Sequence, residues 1–87
     1  MVGNPTKARN LKIIDHMGTY YATLDGTKMW KIEKWLYRLL MMCDGKRTFE
    51  GIVDEIVRIS ESPREDVRAG LRPILEDLEK SGMIVTK

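Results

Sequence analysis

The chain has one cysteine, one histidine and no long apolar run in its 87 residues, and each scarcity excludes a class of function. A single cysteine, Cys43, rules out an intramolecular disulfide and any multi-cysteine zinc site. On an apolar helix face it reads as a small buried hydrophobe, not a reactive thiol. A bilayer-spanning helix needs roughly 20 apolar residues, and the longest apolar runs here are only a few residues, so no membrane is expected. Met1-Val2-Gly3-Asn4-Pro5 lacks the apolar region of a secretory signal, so residues 1–10 read as a flexible arm. The cytoplasm, where thiols stay reduced, is the expected location. The sole histidine, His16, has Asp15 as its one nearby carboxylate and no nucleophile in a recognisable motif; it reads as a turn or strand-end residue. There is no glycine-rich phosphate loop and no metal-ligand spacing. Glu76, Asp77 and Glu79 suit a solvated helix face better than an acid/base pair. No catalytic residue, metal or cofactor is expected.

What remains is the composition of an ordinary globular domain, 43% hydrophobic and 32% charged, in a length that suits one modest core over residues 11–87. The net charge of +2 is unevenly spread. Residues 1–47 hold nine Lys/Arg against four Asp/Glu, and residues 48–87 hold six against nine, about +5 and −3. That split suits an acidic partner or weak self-association, and equally two solvated faces.

Leu11–Ile14 reads as a short strand. Thr19–Leu24 and Thr27–Ile32 flank Asp25-Gly26, a two-residue hairpin signal, because both turn positions need positive φ. Counting from that turn sets Tyr21 opposite Trp30 and Ala22 opposite Met29, with Tyr21, Trp30 and Ile32 on the core face. From Glu33 the period lengthens to about 3.6 residues, and Trp35, Leu36, Leu39, Leu40 and Cys43 form one stripe of a helix that ends at Gly45. Tyr37 and Met41 lie off the stripe as a possible contact patch, including one for a second copy of the chain. Thr48 caps a second helix with Phe49, Ile52, Val53, Ile56 and Ile59 on its apolar face. Ser62-Pro63-Arg64-Glu65 opens a third helix, with Ser62 at the N-cap and Pro63 at the first helical position. Val67, Leu71, Ile74, Leu75 and Leu78 form its buried stripe. Pro73 lies opposite, where it bends the helix without breaking it. Gly82 ends the helix, and Met83-Ile84-Val85 closes the chain. The result is an α+β domain, a three-stranded antiparallel sheet followed by three helices, in the element order of a winged helix-turn-helix.

Two surfaces invite a binding role. Arg64, Arg68 and Arg72 recur every fourth residue along the third helix, yet residues 63–80 hold four Lys/Arg against five Asp/Glu. That helix is poorly charged for phosphates, and Lys28 with Lys46-Arg47 adds little, so a winged-helix DNA reader is the weaker alternative. The last strand of the meander offers a free edge to an extended peptide. A groove between that strand and the third helix would have apolar Val67 and Leu71 on one wall and the arginines at its rim. A covering arm or a dimer partner over the same edge is an equal possibility at this point.

Met29-Trp30-Lys31-Ile32, then Met42-Cys43-Asp44-Gly45-Lys46-Arg47-Thr48, then Ile52-Val53-Asp54-Glu55-Ile56, resembles the PqqD family. These small proteins are associated with pyrroloquinoline quinone biosynthesis and are more broadly termed RiPP recognition elements. The resemblance covers about Leu11 to Val85, including Leu78-Glu79-Lys80-Ser81-Gly82-Met83-Ile84. It departs at Ile32-Glu33-Lys34-Trp35, where the family has Leu-Asn and a small-residue helix start, and at Gly51, where a helix former is usual. The resemblance implies a non-catalytic chaperone that binds the leader of a precursor peptide as an added strand. It would present that leader to a modifying enzyme, often a radical SAM protein. Carried onto this chain, it implies peptide contacts at Lys28, Met29, Trp30 and Lys31 on the strand, and at Arg64, Val67, Arg68, Leu71 and Arg72 on the helix.

Overall fold

The computed structural model describes residues 3–87. Eight elements follow one another: β1 (Pro5–Lys7), β2 (Lys12–His16), β3 (Thr19–Thr23), β4 (Trp30–Ile32), α1 (Lys34–Met42), α2 (Phe49–Ser60), α3 (Arg64–Lys80) and β5 (Ile84–Thr86). The expected antiparallel sheet forms in the order β2-β3-β4, and three helices follow it. A second, two-stranded sheet joins β1 to β5. The flexible arm expected over residues 1–10 is thereby corrected at Pro5–Lys7, which pair in register with Thr86, Val85 and Ile84. Met1 and Val2, the start of that arm, lie outside the described residues.

The tight hairpin is not where the Asp-Gly signal put it. Met17 and Gly18 both have positive φ, 53° and 84°, and directly connect the paired His16 and Thr19. At Asp25-Gly26 side chains take over instead. Thr23 Oγ1 accepts the Gly26 N–H at 2.9 Å, and Asp25 Oδ1 accepts those of Thr27 and Lys28, each at 2.9 Å. With those N–H groups satisfied locally, the strands part, and the register becomes Ala22↔Trp30, Tyr21↔Lys31 and Tyr20↔Ile32. The expected Tyr21–Trp30 pair therefore does not form. A one-residue slip exchanges the two faces of a strand. Tyr20, Ala22 and Ile32 face the helices, and Tyr20 stacks on Tyr37 of α1 at 4.1 Å between ring centroids. Tyr37 is thus partly buried against the sheet, whereas Met41 remains exposed.

The helices close the core on Leu39, Leu40 and Cys43, on Phe49, Ile52 and Val53, and on Leu71, Leu75 and Leu78. Thr48 caps α2 as expected, its Oγ1 accepting the Gly51 N–H at 3.0 Å. At α3 the cap is Pro63 and not Ser62, because Glu61 turns left-handed at the end of α2 and Ser62 donates its N–H back to Ser60 Oγ. Pro73 sits inside an unbroken α3 on its exposed side. Gly82, at φ 83°, closes α3 in a Schellman motif, with Gly82 N–H donating to Glu79 O at 3.1 Å and Met83 N–H to Leu78 O at 3.0 Å.

The turn from Cys43 to Thr48 is held from two sides. Asp44 Oδ1 accepts the N–H groups of Lys46 and Arg47, and Gly45, at φ 78°, donates its N–H to Pro5 O. Asn4 Nδ2 donates to Gly45 O and Lys7 N–H to Cys43 O, so the N-terminal strand stitches this turn to the β1–β5 pair. Burial pushes the Cys43 thiol up to about 11, which keeps it protonated and unreactive at neutral pH.

Candidate functional site

Helix α3 has different neighbours on either side of its buried stripe, as successive residues sweep round at 3.6 per turn. On one side lie the arginines. Arg64 pairs with Glu50 at 2.9 Å and also with Asp54, and Arg68 pairs with Glu50 and with Glu65, each at 2.9 Å. The guanidinium of Arg68, followed by that of Arg64, holds the Glu50 carboxyl well below the usual carboxylate range, at about 2. The Arg72 guanidinium carbon sits 5.0 Å above the Phe49 ring, a cation–π contact. All three arginines are thus turned toward α2.

On the other side a groove of about 490 Å³ opens between α3 and α1. Val67, Gly70, Leu71 and Ile74 line it from α3, and Trp35, Leu39 and Met42 from α1, with Ile56 and Ile59 at the end of α2. Lys34 and Arg38 stand on its α1 side and Asp66 on its α3 side. The groove expected between strand and third helix is therefore formed by α1 in place of the strand. A single residue, Glu33, separates β4 from α1, so two of the lining residues, Lys34 and Trp35, follow the strand almost at once along the chain.

Of the strand residues singled out in the sequence, Trp30 and Lys31 lie in β4, while Lys28 and Met29 belong to the preceding loop, where Asp25 holds the Lys28 N–H. Trp30 and Met29 are half-exposed. β4 has only β3 as a neighbour among the described residues, and β1, the candidate cover for its edge, is engaged with β5. Of the helix residues, Val67 and Leu71 line the groove and Arg64, Arg68 and Arg72 do not. Lys34, Trp35, Arg38, Met42, Ile59, Gly70 and Ile74 were missed as groove residues. The signal for three of them is present in the sequence but misassigned, Ile74 among them on the buried stripe of α3. Trp35 and Ile59 fit the apolar period of their helices and were read as core, yet they are 54% and 56% exposed.

Electrostatics separates the two sides further. Among the described residues Lys28, Lys31, Lys34 and Arg38 form no ion pair, while Arg64 and Arg68 are fully engaged. The pairing of α3 with α2 leaves that helix little free charge for phosphates, which weighs further against reading duplex DNA. No group of three or more His, Cys, Asp or Glu among the described residues is placed to hold a metal ion. None of the helices is long and apolar enough to cross a membrane.

Three antiparallel strands followed by three helices, with an apolar groove between the first and the third helix, define a small α+β domain. Residues 16–84 match the family described as coenzyme PQQ synthesis protein D (PqqD), and the chain belongs to that family of accessory, non-catalytic proteins. The family's description ties it to the synthesis of coenzyme PQQ. No curated protein and no solved structure matches the chain.

Proposed function

We propose that this protein is a peptide chaperone: it captures the leader of a precursor peptide by strand addition at β4 and presents it to a modifying enzyme, of the radical SAM type. The observation that carries the reading is that β4 has β3 as its one strand neighbour among the described residues and is followed, after Glu33 alone, by the helix whose Lys34 and Trp35 line the α1–α3 groove. An extended peptide on that edge gains main-chain hydrogen bonds from β4, and its side chains continue over Trp35 and Leu39 toward Val67 and Leu71. Fold alone does not establish the role, since one fold serves many functions; the edge and the groove together support it.

The test is an NMR titration with a short precursor peptide encoded beside this gene. Shifts should concentrate on Trp30–Ile32 and on the groove residues from Lys34 to Met42 and from Val67 to Ile74. Shifts confined to the β1–β5 sheet or the α2–α3 arginine flank would overturn the proposal. A single radical SAM enzyme gene in the same neighbourhood would identify the partner to test for ternary assembly.

A further inference from the structure

The groove carries a chemical preference of its own. Its lining is predominantly apolar, its α1 side holds two cations that form no ion pair among the described residues, Lys34 and Arg38, and its α3 side holds one acid, Asp66. Lys28 and Lys31, likewise without an ion pair among the described residues, precede the groove along the chain, so four such cations run from the β4 loop to the second turn of α1. Within the groove Trp35 exposes 54% of its surface. A half-exposed indole on an apolar wall, flanked by unpaired cations, is the usual make-up of an interface anchor point.

Resting on the peptide-capture reading, we infer that Trp35, Lys34 and Arg38 select an acidic peptide segment with large apolar side chains. Trp35 takes an apolar side chain across its ring. Lys34 and Arg38 meet carboxylates spaced on either side of it and repel a basic segment, outnumbering the one acid of the lining, Asp66. The arginines of α3, which the sequence alone offers as the acid-binding stripe, take no part because none lines the groove: Glu50, Asp54 and Glu65 occupy Arg64 and Arg68, and Arg72 lies over the Phe49 ring. Selection by charge of this kind acts by attracting one partner and repelling another.

Three end-blocked synthetic peptides of equal length test it, with Leu alternating with Glu, with Ser or with Lys. A fourth replaces the Leu of the acidic peptide by Ala. Binding is read by fluorescence anisotropy, and the Trp30 and Trp35 indole N–H signals are followed by NMR. The acidic Leu peptide should bind about tenfold or more tighter than the Lys peptide, with a gap that narrows as salt rises. It should move the Trp35 indole, and the Ala peptide should not. Trp35→Ala should weaken the acidic peptide about tenfold with the thermal midpoint nearly unchanged. Lys34→Glu with Arg38→Glu should invert the preference, while Lys46→Glu leaves it alone.

Equal binding of all three Leu peptides would overturn the selectivity and leave peptide capture standing. So would shifts on β4 without any at Trp35. Loss of the Trp35 signal shift on dilution of the protein alone would make a second copy the occupant and overturn the inference. No perturbation at either β4 or Trp35 with any of the peptides would overturn both readings.

Discussion

The two flanks of α3 are built from the same turns of one helix, yet one is chemically spent and the other is not. On the α2 side every arginine has found a partner on α2, and Glu50 alone serves two of them. On the α1 side the apolar wall continues past the core into a groove, and its cations have no partner among the described residues. The contrast shows that a regular basic stripe in a sequence is not by itself a binding surface. What decides is whether a neighbouring element supplies the counter-charge.

The hardest way to break the comparison is to remove the core that both flanks share. Leu75 is wholly buried beneath them, and Leu75→Ala should cost about 2–5 kcal/mol in urea unfolding, with both flanks loosening together. Gly45→Ala should come next. At φ 78° the added Cβ is strained and would also meet Lys87 Cδ at 3.2 Å and Thr6 Cβ at 3.4 Å, so a loss of about 1–2 kcal/mol is expected while the groove keeps its shape.

Charge edits probe the spent flank directly. Arg68→Glu, which a surface reading would treat as harmless to the fold, places a third acid beside Glu50 and Glu65. It should lower the thermal midpoint, whereas Lys34→Glu on the other flank should not.

Titration separates the same regions by pH. Glu50 is held at about 2 against an ordinary 4.5, so its contribution is present above pH 4.5 and is lost as pH falls toward 2. Glu50→Gln should flatten that acid limb of a stability profile. Cys43 is raised to about 11 against an ordinary 9.0, so its contribution is present below pH 9 and is lost as pH rises toward 11. Cys43→Ala should flatten the alkaline limb. The smallest effect is expected from Gly51→Ala, where the new Cβ would sit 3.4 Å from Thr48 Oγ1 in ordinary contact, and a gain of roughly 0.5 kcal/mol in unfolding free energy should follow.

How much was legible follows the range of the interactions involved. The cap at Thr48, the glycine stop at Gly82 and the apolar periods of all three helices depend on residues within four positions of one another. They are legible in the sequence, except at Trp35 and Ile59, which fit the apolar periods of α1 and α2 but are exposed in the groove. The hairpin was misread because Asp25 and Thr23 spend their side chains on the loop, a local competition that the Asp-Gly pair does not announce. The N-terminal strand was missed because its partners, Ile84 to Thr86, lie at the far end of the chain. For the site, Val67 and Leu71 were identified in the sequence, but Trp35 and Ile59 were assigned to the core and the arginines to the rim.

The sequence by itself therefore determined the order and type of the main elements, the domain's membership in its family, and the apolar residues available to bury. Those properties rest on backbone propensity, capping and periodicity, all of which act along the chain. Only the tertiary structure decided which side of α3 stays open and, among the described residues, which cations remain unpaired and which strand edge lacks a neighbour. Each of these depends on whether a distant segment arrives within hydrogen-bonding or ion-pairing distance, and no local pattern encodes that arrival.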